Sequence, residues 1–361
     1  MMAWGSRFRI ELFGSSHGPE VGVIVDGVPA GTPVDAERIQ RELDRRRPVG
    51  RRLATRRHEE DRLVIDSGVS DGRADGGAIR AHVANEDVRR APYESLRTVP
   101  RPGHADYPAR VRLGPEADLS GGGIFSGRMT VGLVIAGTLA RGLWEPKGVE
   151  IAAFTRAIAG IEARVEEDLS IAELRRRSGA NEVGSPDPAA AEAMARAIEE
   201  ARRDGDSVGG VIEVRAEGLP VGVGEPFFDS VESAVAHLAF SIPAVKGVEF
   251  GAGFAATAMR GSAHNDGFAL EGDRVVTRTN RAGGILGGLT VGTPVVVRFA
   301  VKPTSSIAKE QESVDLVRRT PARLKVAGRH DPCIVPRAVP VAEAVVAIAL
   351  AELGLRGGFL P

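Results

Sequence analysis

The chain of 361 residues has little cysteine, few aromatic residues and almost no net charge. A single cysteine, Cys333, cannot form an internal disulfide, which indicates a reduced, intracellular protein. The formal net charge of −1 argues against a nucleic-acid coat protein or a membrane-surface binder. No apolar run reaches the roughly 20 residues of a membrane span, because the longest, Met129–Leu143, is shorter and carries Arg141. Met1–Arg9 lacks the apolar segment of a secretion signal, so a cytoplasmic protein is expected.

Glycine and apolar residues are abundant. Glycine contributes 45 residues, proline 22, and 43% of the chain is hydrophobic, which is ample for a large core and excludes disorder over most of the chain. The length allows one large domain or two. The best candidate boundary is 178–188, but segments with chemical potential lie on both sides of it. We therefore expect a single domain over residues 1–361.

Apolar periodicity and caps predict a mixed pattern of strands and helices. Asp35 and the pair Asp187-Pro188 are expected to cap two of the helices. The predicted strands are Val21–Asp26, Arg62–Ser67, Ile79–Val83, Ile151–Ala157, Gly209–Val214 and Val295–Ala300. The predicted helices are Ala36–Arg46, Met129–Leu143, Ala189–Arg203, Val231–Phe240 and Val341–Leu353.

Two segments place a histidine among small or turn-forming residues. Phe13–Gly18 reads FGSSHG, so a ligand could approach His17 closely, and histidine exchanges protons near neutral pH. Arg101–Tyr107 reads RPGHADY, in which Asp106 could orient His104 or hold it protonated. Either segment could also be an ordinary turn. The spacing of the histidines, without cysteine pairs, does not match a zinc site, and no metal is predicted.

An arginine-rich segment extends from Asp44 to Arg57 and contains seven arginines with one acidic residue. The planar guanidinium group binds phosphate and carboxylate through paired hydrogen bonds. A solvated face or a nucleic-acid patch is the alternative, but no aromatic residue in the segment could stack on a base. A small ligand with several negative charges fits better.

Glycine-rich and hydroxyl-rich segments complete the candidates. Gly121–Arg128 reads GGGIFSGR, and glycines that open a helix expose backbone N–H groups to an anion. Arg128 near the positive end of that helix suggests that it faces an anion. Lys302–Ser306 reads KPTSS, a donor set typical of phosphate binding. Gly328–Arg337 adds Arg329, His330 and Asp331 within a segment bounded by glycine and proline.

In this order, the motifs resemble the chorismate synthase family from about Arg9 to Leu353. The resemblance implies an α+β fold, a β-α-β sandwich, in a homotetramer. It also implies conversion of 5-enolpyruvylshikimate 3-phosphate to chorismate by 1,4-elimination of phosphate, with reduced FMN as cofactor. Neither a nucleic acid nor a membrane is expected as a partner. The absence of a dinucleotide fingerprint leaves open whether the chain reduces its own flavin with NADPH.

The resemblance also implies roles for individual residues. His17 would lie near the leaving phosphate, His104 would help to set the protonation of the reduced flavin, and Asp331 would assist removal of the C6 proton. The residues that would hold the substrate's phosphate and carboxylates are Arg46, Arg52, Arg128 and Arg337. The residues that would contact FMN are Ser126, Pro243, Ala244, Gly287, Lys302, Pro303, Thr304, Ser305, Ser306 and Arg329.

The chain departs from the family pattern at Ser15, Leu113 and Ile124. Ile124 removes one possible polar contact, which predicts weaker binding of FMN. Two other functions are therefore weighed against the lyase. One is a divergent flavin-binding paralogue that acts on a related phosphorylated ring acid. The other is a polyanion- or RNA-binding protein, which the neutral charge and the missing aromatic residues disfavour.

Overall fold

The computed structural model describes residues 2–47, 53, 60–86, 96, 98–114, 116–326 and 330–361. Its helices are α1 (Ala36–Arg46), α2 (Asp106–Leu113), α3 (Thr130–Trp144), α4 (Ile171–Gly179), α5 (Pro188–Arg203), α6 (Val231–Ala239), α7 (Gly261–His264) and α8 (Val335–Arg356). The strands up to residue 162 are β1 (Ala3–Trp4), β2 (Arg9–Gly14), β3 (Glu20–Asp26), β4 (Leu63–Ser67), β5 (Val69–Ser70), β6 (Arg73–Ala74), β7 (Ile79–Ala84), β8 (Glu150–Ile158) and β9 (Ile161–Glu162). The later strands are β10 (Gly210–Glu217), β11 (Val245–Phe250), β12 (Phe268–Glu271), β13 (Arg274–Thr277), β14 (Ile285–Leu286), β15 (Leu289–Thr290), β16 (Val295–Val301), β17 (Gln311–Asp315) and β18 (Thr320–Leu324).

Two antiparallel sheets of five strands form the outer layers. The first has the strand order β1-β2-β3-β7-β4, and the second has the order β11-β16-β10-β8-β9. In the first sheet Val23 pairs with Leu12 and Ala81. In the second, Val214 pairs with Val297 and Ala153. Side chains alternate between the faces of a strand, so the buried valines of β3 and β16 give each sheet one apolar face.

Helices fill the space between the two apolar faces. α3 packs on β2, β3 and β7 of the first sheet, while α8 packs on β8 and β10 of the second. α3 and α8 also pack on each other, and α1 contacts both. Gly137 permits this contact, because a Cβ there would lie 2.3 Å from the Cβ of Ala344. This arrangement is a β-α-β sandwich, so the predicted fold class is confirmed.

The main apolar cluster of the described residues joins both sheets and the central helices. The division of the chain into domains stays a prediction, and the shared core favours the single domain. α8 is long and apolar enough to cross a membrane, but 89% of its most apolar window is buried inside the protein. It therefore resembles the core helix of a soluble protein.

A buried ionic cluster fixes the end of α1 against the central helices. Glu343 of α8 accepts hydrogen bonds from Arg45 of α1 at 3.2 Å and from Arg141 of α3 at 2.5 Å. Burial alone would raise the pKa of Glu343, but the charges of Arg141 and Arg45 outweigh it and the pKa is lowered. The carboxylate therefore stays ionised and ties α1, whose last residue is Arg46, to α3 and α8.

Most predicted elements are confirmed within one or two residues. Asp35 accepts from the N–H of Arg38 at 2.8 Å, and Asp187 accepts from Ala189 and Ala190, so both predicted caps are present. The exceptions are β10, which ends at Glu217 rather than Val214, and the last helix, which spans Val335–Arg356 rather than Val341–Leu353. Pro336 lies in the first turn of this helix, where backbone N–H groups have no partner within the helix, so the missing N–H of proline costs no helical hydrogen bond. The helix also accommodates Pro340.

Candidate active site

The His17 loop, between β2 and β3, packs against the glycine triplet Gly121–Gly123. The His17 side chain is buried, and its Nδ1 lies 3.2 Å from the hydroxyl of Ser16. A Cβ on Gly121 would lie 2.1 Å from Cε1 of His17, so only glycine allows the ring this close. The N–H of Ser16 donates to the carbonyl of Gly123 at 3.2 Å. Two segments about a hundred residues apart therefore form one wall.

The expectation that this triplet opens a helix is wrong. The three glycines lie in a 3-10 segment, Ser120–Phe125, with φ of +60°, +94° and +55°. These left-handed conformations are incompatible with a right-handed α-helix. A second short turn, Gly127–Met129, follows, and α3 begins only at Thr130. Arg128 accordingly precedes the helix rather than lying inside it.

The same triplet reaches the second histidine. A Cβ on Gly122 would lie 3.5 Å from the ring of His104 and 3.4 Å from Cβ of Ser126. Gly121 packs against His17 and Gly122 lies near His104, so the two predicted acid–base histidines flank one short stretch of backbone. The structure thus brings together three of the predicted segments.

Asp106 holds His104 in place. Nδ1 of His104 lies 2.6 Å from Oδ1 of Asp106, as the spacing of the motif suggested. Nε and a terminal nitrogen of Arg101 each donate to the same carboxylate at 2.7 Å. Burial alone would raise the pKa of Asp106, but hydrogen bonds from Arg101 and His104 outweigh it and hold the pKa well below its usual value. Asp106 therefore stays ionised.

Arg101 also joins this group to the hydroxyl-rich segment. It donates to the hydroxyl of Ser306 at 3.1 Å, and Nζ of Lys302 donates to the carbonyl of Gly103. The N–H of Lys302 donates to the carbonyl of Ala244 at 2.9 Å. Ala244 has the left-handed φ of +76°, which turns the chain after Pro243. Most of the residues predicted to contact FMN therefore lie around His104.

A group of arginines occupies the other side of the His17 loop. Asn85 donates to the carbonyls of Ser15 and Gly18 at 3.0 and 2.8 Å, and its Oδ1 accepts from Nε of Arg128 at 2.8 Å. Arg128 also forms a buried ion pair with Asp61. The anion that Arg128 faces in this structure is thus a carboxylate of the chain itself.

Asp61 and Asp331 connect the remaining arginines. Arg46 lies 3.5 Å from Oδ2 of Asp61, and its backbone carbonyl accepts from Nε of Arg337 at 3.3 Å. Arg337 pairs with Asp331, whose carbonyl accepts from the hydroxyl of Thr304 at 3.1 Å. The end of α1 and the start of α8 therefore bring together Arg46 and Arg337, both predicted to bind the substrate, and Asp331.

Three predicted residues stand apart. Arg52 and Arg329 lie outside the described residues. Gly287 lies in the turn of the β14–β15 hairpin, next to Gly288, whose carbonyl accepts from the N–H of Val231. This hydrogen bond places the hairpin at the start of α6. The role of Gly287 therefore stays a prediction that the contacts around His104 do not bear on.

Sequence reasoning missed Asp61 and Asn85 and gave no role to Arg101. Arg101 belongs to the RPGHADY motif, so its place beside His104 could have been predicted from the sequence. Asp61 and Asn85 belong to no motif. Asp61 is revealed only by its ion pairs with the arginines, and Asn85 only by its hydrogen bonds to the His17 loop.

Comparisons with known proteins agree with this fold. The family model for chorismate synthase matches residues 8–355. A chorismate synthase of Korarchaeum cryptofilum is 47% identical, over 97% of this chain and 96% of the relative. One of Aeropyrum pernix is 49% identical, over 99% and 94%. A crystal structure of chorismate synthase superposes with a TM-score of 0.78 at 27% identity, and covers 98% of this chain and 93% of that one.

The fold and these matches define a carbon–oxygen lyase that acts on phosphates. The chain belongs to the chorismate synthase family. Its reaction is the elimination of phosphate from 5-enolpyruvylshikimate 3-phosphate, which gives chorismate.

Proposed function

We propose that the chain performs this elimination with reduced FMN, between the histidines that flank Gly121 and Gly122. The observation that supports it most is the position of the glycine triplet, which lies between His17 and His104. Arginines surround the His17 side, while Lys302 and hydroxyl groups surround the His104 side. A trianionic substrate and a phosphorylated cofactor need such donors.

Arg46, Arg128 and Arg337, together with Arg52, hold the substrate's phosphate and carboxylates. The three described arginines converge through Asp61 and through the carbonyl of Arg46. Positive groups fixed in a buried site stabilise the negative charge that develops on a departing phosphate. His17, buried beside Gly121, donates a proton or hydrogen bond from its imidazole to that phosphate.

The residues around His104 fit FMN. Lys302, Ser305 and Ser306 provide an ammonium and two hydroxyl groups, the chemistry that a phosphate ester requires. A Cβ on Gly103 would lie 3.5 Å from Cβ of Ser305 and 3.6 Å from Nζ of Lys302. The backbone of Gly103 is therefore close to these donors. Ser126, Pro243, Ala244, Gly287, Pro303, Thr304 and Arg329 complete the proposed set.

Reduced FMN, when bound, supplies a transient electron to the substrate ring and recovers it, so the reaction is redox-neutral overall. His104, oriented by Asp106, holds a proton near the cofactor. Asp331, oriented by Arg337, assists removal of the proton from C6 of the substrate. Proton removal and phosphate departure are thus assigned to residues on different elements.

The cofactor dependence is tested by an anaerobic assay of chorismate absorbance. With 5-enolpyruvylshikimate 3-phosphate and chemically reduced FMN we expect product, whereas oxidised FMN or no flavin gives none. Product formation without flavin would contradict the cofactor assignment. The divergent paralogue is not favoured, because the relatives named chorismate synthase share 44–49% identity with nearly the whole chain.

We further propose a cytoplasmic homotetramer, with neither nucleic acid nor membrane as partner. Large apolar side chains that are exposed support self-association, among them Phe228, Phe254 and Leu270 at 91%, 79% and 74%. Light scattering is expected to give about four times the chain mass of 38.0 kDa. A mass of one chain at micromolar concentration would refute the tetramer.

A further inference from the structure

Asp61 is a buried carboxylate that binds two of the substrate arginines at once. One oxygen pairs with Arg128, and the other lies 3.5 Å from Arg46. Its side chain is 1% exposed, and those of Arg46 and Arg128 are 5% and 6% exposed. A single carboxylate therefore joins the last residue of α1 to the turn that precedes α3.

Gln40 of α1 fixes the backbone around Asp61. Its Nε2 donates to the carbonyl of Asp61 at 3.2 Å, and its Oε1 accepts from the N–H of Leu63 at 2.9 Å. Asp61 has a φ of +47°, a left-handed conformation that residues other than glycine adopt rarely. Because Gln40 binds both the carbonyl of Asp61 and the N–H two residues later, the carboxylate is held in a set place relative to α1.

Asp61 reduces the positive charge of this cluster. Two guanidinium groups share its carboxylate beside the His17 loop, to which Arg128 is tied through Asn85. Without Asp61 the two arginines would repel each other, and both would attract an anion more strongly. With it, their planes are fixed and their combined charge is reduced.

We infer that Asp61, clamped by Gln40, is a positioning residue that orients Arg46 and Arg128 and limits the charge they present to an anionic group of the substrate. The inference rests on the proposed function, which assigns both arginines to the substrate. It predicts two separable effects. Loss of the charge strengthens binding of an anion, and loss of the orientation slows turnover.

Asp61→Asn separates these effects. The amide has one acceptor oxygen where the carboxylate has two, so one arginine loses its interaction with residue 61 while a negative charge is removed. We expect inorganic phosphate to bind about tenfold more tightly in titration calorimetry without flavin, because a charge this close to the guanidinium groups acts strongly. We expect kcat to fall about tenfold or more, with a lower KM for substrate, because reacting groups lose alignment.

Glu145→Gln is the matched control. Glu145 follows α3 and pairs with Arg38 of α1. This variant therefore removes one carboxylate that is paired with an arginine of α1, at a place other than Asp61. Its phosphate affinity, KM and kcat are expected to stay within about twofold of the native values. If Asp61→Asn matches this control in phosphate affinity and in kcat, the inference is wrong.

Gln40→Leu and Asp61→Glu keep the test decisive if Asp61→Asn does not fold. Both retain the negative charge but disturb its placement, so kcat is expected to fall about fivefold or more while phosphate affinity stays within about threefold. Native kcat in both variants would overturn the positioning role. Absence of phosphate binding by the native protein, or binding that Arg46→Gln leaves unchanged, would refute the arginine assignment and with it the role of Asp61.

Discussion

Asp106 and Asp61 are two buried aspartates that bind different numbers of arginines. Asp106 receives two side-chain hydrogen bonds from one arginine, Arg101, so their charges balance, and the carboxylate also orients His104. Asp61 binds two arginines, Arg46 and Arg128. The difference shows that one carboxylate orients a histidine through a single arginine, whereas the other sets the relative position of two arginines.

Asp106→Asn tests the part of the site in which one carboxylate pairs with one arginine, and it has the largest expected effect. Because its pKa is lowered in the folded state, Asp106 stabilises the fold above its unfolded pKa near 4, and this contribution is lost as pH falls below that value. Removal of one partner of a buried pair costs about 3 kcal/mol. Urea unfolding should show that loss at pH 7 and a smaller loss at pH 3.

Asp273→Asn, an exposed site in the β12–β13 turn, is the control and should change stability by less than about 0.5 kcal/mol. If native protein and Asp106→Asn differ in free energy of unfolding by the same amount at pH 7 and pH 3, the ionised state assigned to Asp106 is contradicted.

His17→Ala and His104→Ala test whether both halves take part in catalysis. Each is expected to lower turnover by roughly 100-fold, the scale of a general acid–base contribution. His104→Ala should also change the pH dependence of turnover, since His104 alone of the two contacts Asp106 among the described residues. The exposed His237 provides the control, because His237→Ala should retain native turnover. Near-native rates in both variants would refute their assigned roles.

Lys302→Met tests the cofactor side of the comparison and carries the smallest effect. Loss of the ammonium should weaken FMN about tenfold, the scale of one charge-assisted hydrogen bond, while substrate KM changes little. Quenching of flavin fluorescence measures the affinity. The exposed Lys246 provides Lys246→Met as a control with native affinity. Equal affinity in the two variants would place the flavin phosphate elsewhere.

The sequence predicted the parts of the fold that local chemistry determines. Asp35 caps α1 because its side chain accepts from a residue three positions on, and the apolar run of β3 forms a largely buried strand. The sequence also predicted the segments that carry His17 and His104. It misplaced the start of α8 because Pro336 and Pro340 resemble helix breakers. The first turn tolerates Pro336, whereas Pro340 lies inside the helix.

The parts that sequence could not predict depend on contacts between distant residues. Asp61 matters through Arg128, and Asn85 through Ser15 and Gly18, and no local pattern predicts these pairs. The conformation of Gly121 is likewise set by the ring of His17, which comes from another part of the chain.

The most direct test of the whole site is a single turnover under anaerobic conditions, with enzyme, reduced FMN and 5-enolpyruvylshikimate 3-phosphate in equal amounts. Phosphate, chorismate and the flavin spectrum are followed together. We predict that phosphate and chorismate form in equal amounts and that the flavin is still reduced at the end. Phosphate release without chorismate, or flavin oxidised in proportion to product, would contradict the account.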